Sequence, residues 1–282
     1  MTSRLPSFSI IIPTFRRETE LVKCLNCLKP SVLSHSSFLS SLEVIVSDDA
    51  FDDHLRQSLQ QLFPWLTYVQ GPGRGPAANR NHGASFATSE WLVFTDDDCL
   101  PQPGWLEAFA KLASSSDVLE GCTLPLGTRH RIDEECPINE AGGFLWSCNF
   151  AIRSSLFRSL HGFNENFPAA AMEDVDLRTR LSIINTQISF VSQAIVLHPW
   201  RLRKGFAFVK LHSRSVAYYI RLHPFINHQF TPLQQWLKSL RSLKHAIAFS
   251  LAHGIIKGLF RHVALDFYSN MMVLYFLRSD LS

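Results

Sequence analysis

The stretch that most narrows the possible folds is Trp91-Leu-Val-Phe-Thr95, which runs straight into Asp96-Asp97-Asp98, with prolines following at 101 and 103. A short apolar run of this composition reads as a strand buried on both faces, the kind found inside a parallel sheet. Asp and Pro are poor strand residues, so the strand must stop near Asp96. The acids then lie at the carboxyl end of a central strand, where open α/β sheets bind their ligands. Three adjacent carboxylates repel one another and are costly to bury unpaired. A hard divalent cation, Mg²⁺ or Mn²⁺, removes that cost. Taken alone, the run also reads as a solvated acidic turn. The buried strand before it and Pro101-Gln-Pro-Gly-Trp105 after it favour a site.

The flanking sequence repeats the pattern. Phe8 to Pro13 predicts a first strand, Glu18 to Leu28 a helix, Leu42 to Ser47 a second strand ending in Asp48 and Asp49, Asp53 to Phe63 a helix and Leu66 to Val69 a third strand. Strand–helix–strand alternation at this spacing predicts a parallel sheet with right-handed crossovers. Ser31 to Ser41 is serine-rich and reads as a loop or a frayed helix end. Gly71-Pro-Gly-Arg-Gly-Pro76 lacks the Gly-Lys-Ser/Thr of a phosphate-binding loop, and its prolines remove backbone donors, so it reads as a rigid turn. Ala77 to Ala87 and Trp105 to Leu112 predict helices, Val118 to Pro125 a strand, and Phe144 to Ile152 an apolar strand-like run. Glu173 to Leu181 predicts a helix with acids in its first turn, favourable to the helix dipole. Ile188 to Leu197 predicts a last strand, ending at His198.

Charge is unevenly divided. Residues 1–176 hold 22 of the 24 acids and 13 Lys/Arg, whereas residues 177–282 hold 2 acids and 14 Lys/Arg. The basic part is also rich in Leu, Ile and Phe at helical spacing: Trp236, Leu237, Leu240, Leu243, Ile247 and Leu251, with Lys238, Arg241, Lys244 and His245 among them. Such helices cap a domain or lie in a membrane interface with their cations towards anionic headgroups. Two parts follow, 1–200 as an α/β domain and 201–282 as a basic helical region. No uncharged apolar run reaches the ~20 residues of a membrane span, and Phe8 to Ile12 is too short for a signal core. Cys24-Leu-Asn-Cys27 lacks a second pair at zinc spacing and reads as helix packing. The six cysteines read as reduced, in a cytoplasmic protein.

The acid clusters Asp48/Asp49, Asp96–Asp98 and Glu173/Asp174/Asp176 all follow strands or open the adjoining loops. With Ile11-Ile-Pro-Thr-Phe15, Ile45-Val-Ser-Asp-Asp49, Ala78-Asn-Arg-Asn-His-Gly83, Phe94-Thr-Asp-Asp-Asp98, Gly162-Phe163 and Met172-Glu-Asp-Val-Asp-Leu-Arg178, the region 7–200 resembles the family 2 glycosyltransferases of GT-A fold. The resemblance implies a Rossmann-like fold with a mostly parallel central sheet flanked by helices, and a metal-dependent, inverting transfer of sugar from a UDP-, GDP- or dTDP-sugar to a glycan or glycolipid hydroxyl. It implies that Pro13, Thr14 and Phe15 line the base and ribose, that Asp48 or, preferably, Asp49 hydrogen-bonds them, and that Arg80 reaches the base or phosphates. Asp96 and Asp98 become the Asp-x-Asp pair on ribose and Mn²⁺ or Mg²⁺, Asp174 the base, and His198 a further metal ligand. Asp97 falls among the nucleotide-binding acids, although its side chain points away from Asp96 and Asp98 if the strand persists. Trp146 and Asn149, with Glu173 in support, fall on the sugar and acceptor side.

Each role has a bland counterpart: first-turn acids for Glu173, Asp174 and Asp176, a solvated helix residue for Arg80, a strand-end histidine for His198, core packing for Trp146. Two other functions fit parts of the pattern. A nucleotidyltransferase also uses carboxylates at strand ends but needs a Gly-rich loop and Lys early in the chain, and Ser9 to Arg17 has neither. A non-catalytic protein binding nucleotides or anionic polymers is the other. Nucleic acid is not an expected partner, because the cations are interleaved with core-type residues instead of exposed aromatics. Peripheral contact with an anionic membrane is.

Overall fold

The computed structural model describes residues 5–34, 37–50 and 52–279. Two of the residues in the expected serine-rich loop, 35 and 36, lie outside them. The chain divides into two compact units. The first comprises residues up to Leu126, Pro137–Glu165 and Glu173–Pro199, and the second Gly127–Cys136, Asn166–Met172 and the chain from Trp200 onward.

The first unit is built on β1 (Ser7–Thr14), α1 (Glu18–Ser34), β2 (Ser41–Asp48), α2 (Asp53–Leu62), β3 (Leu66–Gln70), α3 (Pro76–Ser85) and β4 (Trp91–Thr95). It continues with β5 (Leu100–Pro101), α4 (Trp105–Leu112), β6 (Val118–Leu126), then, after a short strand in the second unit (β7, Glu134–Glu135), β8 (Asn149–Arg153), α5 (Ser154–Ser159), α6 (Glu173–Ile183) and β9 (Ile188–Pro199). One eight-stranded sheet results, ordered β3-β2-β1-β4-β8-β6-β9-β5. β3, β2, β1 and β4 are mutually parallel, as are β6 and β9; β8 runs antiparallel between β4 and β6, and β5 is antiparallel to β9.

Side-chain alternation shows why the central strands are uninterrupted apolar runs. Phe8, Ile10 and Ile12 of β1, Val44 and Val46 of β2, and Trp91 and Val93 of β4 enter one core, with Leu21, Leu25, Trp105 and Phe109 from the helices. Ile11, Ile45, Leu92 and Phe94 enter the other, with Phe150, Phe157, Phe163 and Leu177. Both sheet faces are therefore covered, and period-2 residues find an apolar layer on either side. At Gly83 an added methyl would come within 2.9 Å of Ile11, so the missing side chain lets α3 close onto the sheet.

The expected strand from Phe144 to Ile152 is shorter. Residues 144–148 form a loop and only Asn149–Arg153 pairs with the sheet. The cause is Glu120 on β6. Its buried carboxylate accepts the amides of Gly143 (2.7 Å), Phe144 (2.7 Å) and Leu145, donors that a strand would have offered to a neighbour.

In the second unit, β7 pairs antiparallel with β10 (Arg201–Leu202), and the helices are α7 (Phe206–Leu222), α8 (Pro232–His253) and α9 (Leu259–Ser279). α8 opens on a capping box in which Thr231 and Gln234 satisfy each other's backbone amides. Buried Asp133 is held by Arg131 (2.8 Å) and Arg261 (2.8 Å). Burial pushes its carboxyl up, but the two guanidiniums outweigh that and hold it at about 2. No helix among the described residues is long and apolar enough to cross a membrane.

Candidate active site

The carboxyl ends of β1, β2 and β4 lie side by side, and each ends in polar residues. After Thr95 the chain turns, with Cys99 N–H donating to the Asp96 carbonyl at 3.1 Å. The turn gives Asp96 to Arg80 and lets Asp97 and Asp98 share Arg17, so Asp97 does not point away from Asp98 as strand alternation would have it.

Asp96 takes a hydrogen bond from Arg80 Nη2 at 2.7 Å, and the same guanidinium reaches Glu173 through Nη1 at 3.1 Å. Arg80 is 5% exposed and sits over the Phe163 ring at 5.7 Å. It therefore bridges the end of β4 and the start of α6 from a position inside the protein. Burial pushes Glu173 up to about 7, opposed by Arg80. Burial also raises Asp174, opposed by the amide of Val175, by the charge of Arg80 and by the amide of Ser147.

Asp97 receives Thr14 Oγ1 (2.9 Å) and Arg17 Nη1 (2.7 Å), and Arg17 Nη2 lies 3.1 Å from Asp98. Burial raises the Asp97 carboxyl to about 6 in spite of Arg17. The other Asp98 oxygen faces His198 Nε2 at 3.8 Å. His198 Nδ1 lies 2.8 Å from the Pro199 carbonyl. A proton on Nδ1 donated there leaves the Nε2 lone pair turned towards Asp98.

Asp98, Cys99 and His198 form a buried group whose potential ligand atoms lie within 4.8 Å of one another. The carboxylate oxygen and imidazole nitrogen suit Mn²⁺ or Mg²⁺, and the soft thiol does not, so the donor set fits a hard divalent cation through Asp98 and His198. Asp96, expected as a second ligand, lies outside this group and is held by Arg80.

Other expected residues separate in the same way. Asp48 is 0% exposed, with its carboxylate taken by Ala50 N–H (2.9 Å) and the Tyr68 hydroxyl, so it is out of a ligand's reach. Asp49 accepts the amides of Gly73 (2.9 Å) and Gly75 (3.0 Å) and so shapes the glycine-rich turn. A Cβ at Gly71 would lie 2.4 Å from Asp49 Oδ1 and 2.5 Å from Asn79 Oδ1, which explains the glycine. Pro13 and Thr14 are buried, while Phe15 is 54% exposed, with the Arg16 guanidinium over its ring at 5.1 Å.

Asn149, expected on the acceptor side, is buried, accepts Trp105 Nε1–H (2.8 Å) and donates to the carbonyls of Cys122 (2.8 Å) and Ala194 (3.0 Å), so its side chain locks neighbouring strands together. Trp146 is half-buried and stacked on exposed Phe144, with centroids 5.2 Å apart. Gly162 and Phe163 are tied to α3: Asn81 accepts Phe163 N–H (2.8 Å) and donates to its carbonyl (2.8 Å) and to Glu165 (2.9 Å), and a Cβ at Gly162, where φ is +67°, would strike Asn81.

Two residues escaped the sequence reading. Arg17 was one arginine in a loop, and its partners lie 80 positions on. Glu120 interrupts an otherwise apolar strand, and that interruption was its only signal.

Residues 9–131 match Glycosyl transferase family 2. That stretch, a little under half of the chain, is similar to the family 2 glycosyltransferases. Glycosyltransferase AglE of Haloferax volcanii is 31% identical over 122 residues, 42% of this chain and 39% of that protein. Validoxylamine A glucosyltransferase of Streptomyces hygroscopicus subsp. limoneus is 26% identical over 225 residues, 64% of this chain and 49% of that protein. The matches thus span half or less of these relatives' length. Among solved structures, mannosyltransferase PcManGT from Pyrobaculum calidifontis in complex with GDP-Man and Mn²⁺ superposes over 99% of this chain and 89% of its own, with a TM-score of 0.64 and 16% identity. At that identity the likeness bears on the fold, which is the GT-A fold of glycosyltransferases.

Proposed function

We propose that the chain is a metal-dependent, inverting glycosyltransferase that moves a sugar from a nucleoside-diphosphate donor to a hydroxyl of a glycan or glycolipid, in surface polysaccharide or glycolipid assembly. The observation that carries this reading is the Asp98–His198 donor pair beside the Arg80 bridge, with Asp174 on a separate element. Residues 1–200 form the donor domain in this proposal. Residues 201–282 serve the acceptor side and peripheral contact with an anionic membrane at its cytoplasmic face.

Asp98 and His198 hold the Mn²⁺ or Mg²⁺, which neutralises charge on the departing nucleoside diphosphate when bound. Phe15 and Asp49 meet the base and ribose. Arg80 keeps Asp96 directed at the ribose and holds Glu173 beside it. Asp174 takes the proton of the acceptor hydroxyl as that oxygen attacks the anomeric carbon. Its burial makes the carboxylate a stronger base than one in water, which suits proton transfer near neutral pH. A single attack from the face opposite the leaving group inverts the anomeric centre. PcManGT, solved with GDP-Man and Mn²⁺, supports a nucleotide sugar and a divalent ion as the pair to test first.

The test is thermal unfolding with UDP, GDP or dTDP, with and without Mn²⁺. A nucleotide at 100 times its Kd adds about 2.7 kcal/mol of stability. We expect Mn²⁺-dependent protection by one of the three and its loss in Asp98→Ala. Absence of protection by all three rejects the reading, and unchanged Mn²⁺ dependence in Asp98→Ala removes Asp98 from the metal site.

A further inference from the structure

Helices α8 and α9 leave a cavity of about 590 Å³ between them. Gln235, Trp236 and Ser239 line one side, and Phe267, Met271 and Tyr275 the other. Ser239 lies four and three residues after Gln235 and Trp236, and Phe267, Met271 and Tyr275 recur every four, so one stripe of each helix faces the groove. That volume is within the ~300–1,000 Å³ of small-molecule sites.

Two observations separate this groove from an ordinary exposed apolar seam. First, Trp236, Phe267, Met271 and Tyr275 are each at least half exposed, whereas Gln235 among them is 2% exposed. Its amide Nε2 has no hydrogen-bond partner among the described residues. A buried donor left in that state is costly, and a ligand oxygen would remove the cost. Neighbouring polar groups do not serve it: Ser239 Oγ donates to the Gln235 backbone carbonyl and accepts Asn270 Nδ2 at 2.8 Å. Second, the groove carries one sign of charge. Among the described residues Arg278 lines it and no acid does, and from residue 177 to the end the chain holds 14 Lys/Arg against 2 acids. An apolar trough with a buried donor and a cation complements an amphiphile with an apolar chain, polar oxygens at its head and a negative charge.

We propose that this groove takes one hydrocarbon chain of an anionic membrane phospholipid, with Gln235 donating to an oxygen at the head of the chain and Arg278 facing the phosphate. Membrane contact then includes a chain withdrawn from the bilayer as well as attraction between the basic helices and headgroups. A second copy of the protein would also cover the exposed aromatics, but it would not be selected for a single negative charge beside a buried acceptor.

The experiment uses the whole chain and tryptophan fluorescence. Phosphatidylglycerol vesicles with brominated acyl chains should quench Trp236, and Trp236→Phe should remove most of the quenching. Monomeric lysophosphatidylglycerol should bind saturably and compete. Gln235→Leu should raise its Kd by about 3- to 10-fold, the worth of one hydrogen bond. Arg278→Gln, at an exposed position that does not threaten folding, should weaken binding of lysophosphatidylglycerol more than that of lysophosphatidylcholine, whose choline cation already offsets its phosphate. Three results would overturn the proposal: equal quenching in Trp236→Phe, no saturable binding of the lysolipid, or a concentration-dependent dimer that shields Trp236 and is not dissociated by the lysolipid. No nucleotide enters the measurement, so it fails or succeeds separately from the sugar-transfer reading.

Discussion

Replacing Arg80 with methionine tests the centre of the site most directly. The substitution keeps an unbranched side chain and removes the cation between Asp96 and Glu173. Arg80 and Glu173 side chains are 6% and 7% exposed and that of Asp96 is 20% exposed, so water cannot take the place of the guanidinium. Breaking a buried ion pair from one side costs about 3–5 kcal/mol, because the other charge is left without a partner. Set against the ~5–15 kcal/mol that stabilises a typical domain, this is a large share. The pH dependence has a definite sign. Glu173 has a folded pKa of about 7, above its ordinary 4.5, so its ionisation works against folding as pH rises through that interval. Without Arg80 the folded value moves higher, and the ionised form is penalised further. Urea unfolding at pH 8 and pH 5 should therefore show a larger loss at pH 8. Adding Glu173→Gln should recover part of the loss at pH 8 and little at pH 5. If Arg80→Met lowers stability by less than about 1 kcal/mol at pH 8, or equally at both pH values, the guanidinium is not the partner that keeps these carboxylates buried.

Asp174→Asn should leave Mn²⁺-dependent nucleotide protection near the wild-type value while turnover, followed as release of nucleoside diphosphate, falls by about 10²-fold or more; normal turnover would reject Asp174 as the base. Gly71→Ala should destabilise by about 1–3 kcal/mol in chemical denaturation, since the new methyl displaces Asp49 or Asn79. It should also weaken nucleotide protection through the displaced Asp49, and a neutral result on both measures would refute the tight contact.

The parts of the fold that could be read in advance were those specified by neighbours in sequence. β1, β2 and β4 announce themselves as apolar runs closed by polar residues, because both faces are buried and the ladder stops where Asp begins. Of Asp98, His198, Arg80 and Asp174, only Asp98 follows from one of those strand ends; Arg80, Asp174 and His198 lie on α3, α6 and β9 and are singled out through the family resemblance. What could not be read is which donor each carboxylate finds. Asp48 and Asp49 are adjacent and chemically alike, yet one is sealed under Tyr68 and the other shapes the Gly73–Gly75 turn. Asp97 gained its partners because the chain turns at Asp96, and Arg17 reaches it across 80 residues. Asn149 carries the same polar side chain whether it faces a ligand or three buried partners, and only the packing of β6, β8 and β9 decides.

The grip of Glu120 on residues 143–145 has a consequence for recognition. The same loop is held at its far end, where the Ser147 amide meets Asp174. Ordering a residue's backbone costs about 1–2 kcal/mol, and here that cost is met when the protein folds, before any ligand arrives. A molecule that docks on Phe144 and Trp146 meets a surface of fixed shape. Its selectivity is then that of a mould: it changes when a side chain is exchanged, and stays put when the partner is altered.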